Sequence, residues 1–215
     1  MNFSDDRVAA VFAEYDARHK RELAAASDLP RGAFGARRDE FLLPVGAEVG
    51  ALLHALVIGR AARRVLELDT SYGYSTLFLA DAARACGATV ISVDVDPAKQ
   101  AYAARMLERA GLREHVEFRC GDAVELLAGD RGPWDVVLLD IWKDMYVACF
   151  EAVYPALAEE AIVVSDNMIY PEGARDAVRA YRAAVTAKPD LQTVLLPLGS
   201  GIEVTARWSP DSARL

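Results

Sequence analysis

Val65-Leu66-Glu67-Leu68-Asp69-Thr70-Ser71-Tyr72-Gly73-Tyr74-Ser75-Thr76 is an apolar run that breaks into a polar, glycine-containing turn and then opens a helix. A strand ending in Glu67, a tight turn through Gly73 and a helix beginning near Ser75 direct backbone N–H groups and a carboxylate into one crevice. That arrangement suits a nucleotide-type cofactor. Asp69 is unusual in this setting, because it puts a carboxylate where comparable turns need a residue with no side chain.

Working outward, apolar runs at Arg64–Leu68, Thr89–Val93, Val116–Phe118, Val136–Leu139 and Ile162–Val164 alternate with helical segments such as Thr76–Cys86 and Pro97–Gly111. The second of these helices starts with proline in its first turn and stops at glycine. Such alternation predicts a parallel sheet with helices on both faces. The last two runs, Thr193–Leu196 and Ile202–Ala206, are joined only by Pro197-Leu198-Gly199-Ser200-Gly201, which predicts an antiparallel hairpin at one edge of a seven-stranded sheet. Ahead of the sheet, Asp5–Ala26 and Val45–Gly59 read as helices flanking a Pro/Gly/Arg-rich linker, Leu29–Arg38. Residues 1–60 are therefore expected to form a helical cover and 61–215 a cofactor-binding core, within one domain.

The composition narrows the function classes. The chain has 215 residues, 53% of them hydrophobic and 26% charged, the profile of a soluble globular domain. A net charge of -8 argues against a sequence-independent grip on nucleic acid, which draws on clustered Lys and Arg. Cys86, Cys120 and Cys149 are odd in number and lack metal-type spacing, so neither a disulfide framework nor a zinc site is expected, and a reducing compartment fits. With no signal-like start and no apolar run of roughly 18 residues, the expectation is a cytoplasmic protein that does not engage membranes.

Ligands of open parallel sheets bind beyond the carboxyl ends of the strands, and Glu67, Asp94, Asp140 and Asp166 all fall there. Asp94 follows the glycine turn by about twenty residues, the spacing at which a carboxylate accepts hydrogen bonds from a ribose diol. Asp96, just before Pro97, suits the helix cap better, which leaves Asp94 for the ligand. Asp122 fits either an adenine contact or the cap of the helix that follows. Asp140, Asp166 and the Asn167 amide oxygen reach one edge from neighbouring strands, an all-oxygen set suited to Mg²⁺.

From about Leu43 to Arg207 the chain resembles the metal-dependent, S-adenosylmethionine (SAM)-dependent O-methyltransferases of the catechol and caffeoyl-CoA type. The resemblance lies in Leu66–Ser75, in Leu139-Asp140-Ile141-Trp142-Lys143-Asp144 with Tyr146, in Ser165-Asp166-Asn167, and in Leu196–Gly201. It implies a class I methyltransferase, Rossmann-like α/β fold with SAM as cofactor. It also implies Asp140, Asp166 and Asn167 as ligands of Mg²⁺ or another divalent cation such as Ca²⁺ or Mn²⁺, and Lys143 as catalytic base. Glu67, Ser75, Asp94, Ala123 and Trp142 would line the SAM site, together with Asp69, Thr70, Gly73, Asp122 and Asp140 of the same strand ends and turns, and Val45 would touch the methionine portion. A small aromatic substrate, a homodimer and a cytoplasmic location are implied as well.

The chain departs from that family in two places. Asp69 stands where the family normally has glycine, which tolerates positive φ and lets the backbone approach the amino-acid end of SAM. The added bulk and charge predict weaker SAM binding, unless the carboxylate turns to the SAM ammonium, and Asp69→Gly is expected to tighten it. Ser200 replaces an acidic residue common in the penultimate loop. Two other readings compete: a fold of this kind that has lost turnover and acts as a binding protein, and a nucleotide-linked oxidoreductase. The second leaves Asp140, Lys143, Asp166 and Asn167 without a role and lacks the close-set glycines of a dinucleotide site.

Overall fold

Five β-branched and leucine-rich runs lie side by side as parallel strands: β1 (Arg64–Leu68), β2 (Thr89–Asp94), β3 (Val116–Cys120), β4 (Trp134–Leu139) and β5 (Leu157–Ser165). The structure, a computed structural model, describes residues 3–30 and 32–208. β6 (Leu191–Leu196) and β7 (Ile202–Arg207) form the expected hairpin, and β7 pairs antiparallel with β5. Among the described residues the sheet has seven strands in the order β3-β2-β1-β4-β5-β7-β6. The chain winds outward from β1 to β3, then returns to add β4 on the other side of β1. That reversal opens a crevice at the carboxyl ends of β1 and β4.

Helices α1 (Asp6–Ser27), α2 (Ala33–Ala36) and α3 (Ala47–Gly59) precede the sheet. They are followed by α4 (Tyr74–Cys86), α5 (Pro97–Ala110), α6 (Ala123–Ala128), α7 (Tyr146–Val153) and α8 (Arg175–Thr186). Because successive strand residues face opposite ways, Val65, Val90 and Val136 meet α1, α3, α4 and α5 on one face, while Leu66, Ile91 and Val137 meet α6, α7 and α8 on the other. Two apolar cores result, as expected for a doubly covered sheet. No helix among the described residues is long and apolar enough to cross a membrane.

The N-terminal cover is tied to the core by specific bonds. Asp5 caps α1 by accepting the Arg7 N–H and also receives the Arg84 guanidinium of α4 at 2.7 Å. The Tyr15 hydroxyl, fully buried, donates to the Tyr72 carbonyl at 2.6 Å and so binds α1 to the turn after β1. Helix α3 begins two residues later than expected, and the linker holds α2 and a short 3₁₀ turn, Arg38–Glu40. Strands β4 and β5 both start earlier than their apolar runs suggest. Asp135 interrupts the pattern because its carboxylate accepts the Arg63 and Arg64 N–H groups at 2.8 and 3.0 Å, and the pairing shifts register between Trp134 and Val136.

Candidate active site

A cleft of about 790 Å³ opens at the carboxyl ends of β1, β4 and β5. Asp69, Thr70 and Ser75 line it from the first strand end and turn, and Asp140, Trp142 and Lys143 line it from the β4 end. Asn167 enters from β5 and Val45 from the segment before α3. The sequence-derived site residues Val45, Asp69, Thr70, Ser75, Asp140, Trp142, Lys143 and Asn167 therefore meet in one space.

The turn after β1 is shaped as its sequence requires. Gly73 has φ +86, and a Cβ there would fall 2.6 Å from the Ala103 Cβ, so only glycine permits α4 and α5 to pack this closely. Asp69 has φ +82, the left-handed region that favours glycine. Its N–H donates to the Val93 carbonyl at 3.0 Å, which fixes the turn against β2. Burial, with the Asp94 carboxylate beside it, pushes the Asp69 carboxyl up to about 8, against the opposing pull of Lys99.

Below this turn lies Glu67, fully buried. It accepts the Ser75 hydroxyl at 2.6 Å, the Thr76 hydroxyl at 2.7 Å and the Ser92 hydroxyl at 2.6 Å. Burial raises its carboxyl to about 7 even though the three hydroxyls favour the charged form. Glu67 thus braces the start of α4 from below the cleft. Asp94 is also buried, and its two oxygens accept the N–H groups of Ser71 and Asp96, each at 2.7 Å. Asp96 is the α5 cap, as its position before Pro97 indicated.

At the β4 and β5 ends, Asp140 is pushed well above the ordinary carboxylate range by burial and by Asp166 beside it. Burial also raises Asp166, to about 6, against the Asn167 N–H and Lys143. The Asp140 carboxylate accepts no hydrogen bond from the described residues, whereas Asp166 accepts the N–H of Asn167, itself at φ +52. Burial pulls Lys143 down to about 8, opposed by Asp140 and Asp166. Its ammonium donates to the Tyr146 hydroxyl. That hydroxyl lies 2.9 Å from the Leu139 carbonyl and 3.0 Å from the Asp166 carbonyl, so Tyr146 clamps the two strand ends under Lys143.

The segment before α3 forms a further wall. Arg38 lies over the Trp142 ring, 5.0 Å from guanidinium carbon to ring centre, and Trp142 is 49% exposed at the cleft rather than part of the core. The linker thus covers the pocket, and Arg37, paired with Glu40 at 2.6 Å, stays outside it. Arg31 lies outside the described residues.

Several expected residues do not reach the cleft wall. Glu67, Gly73, Asp94 and Asp166 sit behind it, while Asp122 and Ala123 lie beyond it on α6. Of the two roles open to Asp122, the structure has the cap, with its carboxylate accepting the Glu125 N–H at 3.0 Å. Tyr146 stood in the sequence only as part of the motif that carries the resemblance, without a stated role, and Lys99, 3.2 Å from Asp39, had no local signal that separates it from solvated charge.

The family model described as O-methyltransferase matches residues 33–208, and the chain belongs to that family. It is similar to the catechol O-methyltransferase of Mycobacterium tuberculosis, 35% identical over 148 residues, which is 67% of this chain and 60% of that protein. It is 31% identical over 131 residues to the catechol O-methyltransferase of Niastella koreensis, covering 59% of each. The chain thus spans about three-fifths of the length of these curated relatives. Among solved structures, the O-methyltransferase TomG from Streptomyces achromogenes, involved in tomaymycin synthesis and determined in complex with SAM, matches with a TM-score of 0.73 at 25% identity, covering 91% of this chain and 99% of that one.

Proposed function

We propose that this chain is a SAM-dependent O-methyltransferase that moves a methyl group to one hydroxyl of a small aromatic vicinal diol, with Lys143 as base and a divalent cation at Asp140, Asp166 and Asn167. The observation that carries the reading is the convergence of Lys143, Asp140 and Asn167 on one cleft from the ends of neighbouring strands. The donor set fits a hard dication. It is all oxygen, and burial raises the proton affinity of both carboxylates, that of Asp140 further through Asp166 beside it, so the site is short of positive charge. A bound cation would lower the pKa of a chelated phenol, ordinarily about 10, and fix its direction.

SAM supplies a methyl carbon already bonded to a sulfonium, so the protein's task is positioning in a dry crevice. Val45, Thr70 and Ser75 would hold its methionine end, while Asp94, set behind the wall with each oxygen accepting a backbone N–H, would brace the turn beside the ribose. Lys143, with its pKa lowered by burial, has a neutral fraction near neutral pH and would take the phenolic proton: the O–H bond breaks as an N–H bond forms on Nζ, and the phenolate oxygen would accept the methyl as the methyl–sulfur bond breaks and S-adenosylhomocysteine leaves. Tyr146 and the Ile141 carbonyl, 3.4 Å from Nζ, orient the amine. A cytoplasmic homodimer completes the proposal, and light scattering reads its assembly.

The test is methyl transfer from SAM to catechol, measured with Mg²⁺ and after exhaustive chelation. Transfer that requires the cation supports the reading. Equal rates in both overturn the metal's role, and measurable SAM binding without transfer removes the catechol-type acceptor.

Asp69 favours a second reading, a SAM-binding protein with impaired turnover. At φ +82 its side chain occupies a position suited to glycine and adds bulk and a second carboxyl group beside Asp94. Calorimetric titration separates the two: roughly micromolar SAM affinity with Asp69 intact supports the enzyme, and undetectable binding restored by Asp69→Gly supports the second reading.

A further inference from the structure

The cleft carries a cationic group that the proposed transfer does not use. Arg38 lines the same space as Lys143, Asp140 and Asn167 and lies on the Trp142 ring. Its neighbours are neutralised: Arg37 by Glu40 at 2.6 Å and Lys99 by Asp39 at 3.2 Å. Among the described residues, no carboxylate lies within ion-pair distance of Arg38. A guanidinium held on an aromatic face keeps its N–H fork free and directed, which is the geometry that recognises a carboxylate in two-point fashion.

The rest of the wall says what accompanies such an anion. Leu43, Trp142 and Tyr170, each more than 40% exposed, border the cleft with Phe41, so a flat apolar body meets apolar surface there. Asp39, Asp69, Asp140 and Asp144 also line the wall, with Asp166 behind it, and none of them is paired with Arg38. The charge of Arg38 reaches Lys143, whose ammonium it disfavours, so the two cations belong to one field.

Resting on the O-methyltransferase reading above, we infer that Arg38 is a specificity residue that binds a carboxylate borne by the aromatic ring, so that the preferred acceptor is a small catechol-type acid rather than an uncharged catechol. The diol points to Lys143 and the carboxylate to the Arg38–Trp142 pair. A cleft of about 790 Å³ that also has to admit SAM suits a single-ring acid better than a large conjugate.

The test compares 3,4-dihydroxybenzoate with its uncharged analogue, 3,4-dihydroxybenzamide. Both are titrated calorimetrically into the full chain with Mg²⁺ and S-adenosylhomocysteine present. The wild type is expected to bind the acid about tenfold tighter, the scale of a charge-assisted hydrogen bond. Arg38→Gln should reduce that preference to within about twofold, whereas Arg37→Gln, which alters a charge outside the cleft, should retain it. No preference in the wild type, preference surviving in Arg38→Gln, or no binding of either compound overturns the inference. Methyl transfer to the two compounds is read in parallel. A retained, Arg38-dependent binding preference without transfer would sink the methyltransferase reading while supporting the carboxylate site.

Discussion

Two groups of buried carboxylates share the same edge of the sheet and are treated in opposite ways. At the end of β1, Glu67 is fully enclosed and takes three hydroxyl donors, so its charge is met entirely by the chain. At the ends of β4 and β5, Asp140 faces the cleft without a hydrogen bond from the described residues, and Asp166 has only the Asn167 N–H. Burial raises the proton affinity of both, and Asp166 raises that of Asp140 further, a cost to the folded state that the hydroxyl donors of Glu67 partly offset. The contrast separates bracing from recognition. A carboxylate satisfied by its own fold fixes a turn, and an uncompensated pair beside a depressed lysine is arranged for something the chain does not contain.

The largest expected effect comes from the uncompensated region. Lys143→Met removes the proton acceptor and should lower kcat for catechol methylation by about 10²- to 10⁴-fold, with SAM affinity unchanged by titration. A loss smaller than about tenfold would end the assignment of Lys143 as base. Next in size is a pair of substitutions with opposite signs. Glu67→Ala strands the hydroxyls of Ser75, Thr76 and Ser92 and should cost about 3 kcal/mol, read as a fall of about 6–12 °C in Tm. Asp140→Asn removes one member of the repelling pair and should raise the Tm of the metal-free protein while abolishing its response to Mg²⁺. If both substitutions destabilise alike, the distinction between the two regions collapses.

The same contrast governs how much could be read from the chain. Periodicity located β1 and β2, the terminal hairpin and the strand-end acids, because alternating burial on a doubly covered sheet leaves a strong pattern. The Asp96 cap was legible from Pro97, whose missing N–H and fixed φ suit the first turn. The early start of β4 was not, since Asp135 looks like a strand breaker until its carboxylate is seen gathering the Arg63 and Arg64 N–H groups. The bracing role of Glu67 was hidden for a similar reason: its partners come from α4 and β2, and no local pattern announces a hydroxyl that folds back. The Arg38–Trp142 contact joins two segments distant in sequence across the cleft, and composition carries no trace of it.

Asp69 lies between the two regions, and its titration tests which it belongs to. With an unfolded value near 3.8 and a folded value of about 8, the native state retains a proton that the unfolded chain releases. Stability from this group is fully present below about pH 4 and is lost as pH rises towards about 8. Asp69→Asn keeps the shape without the charge, so its Tm should exceed that of the wild type by about 2–4 °C or more at pH 9 and match it near pH 4. A Tm difference that does not change with pH would mean that backbone strain at φ +82, not charge, dominates there.

The smallest effect concerns a residue on the far side of the cofactor crevice. Asp122 caps α6 through the Glu125 N–H, and a helix of six residues gains little from one cap, so Asp122→Ala should cost about 0.5 kcal/mol. Its informative consequence is for SAM affinity. A carboxylate engaged only in bracing, like Glu67, leaves ligand binding untouched when the fold survives, and the titrated affinity should stay within about twofold of wild type. A drop of tenfold or more would mean that Asp122 also reaches the adenine end of the cofactor. The crevice would then extend past its visible wall to α6, and bracing and recognition would share one side chain.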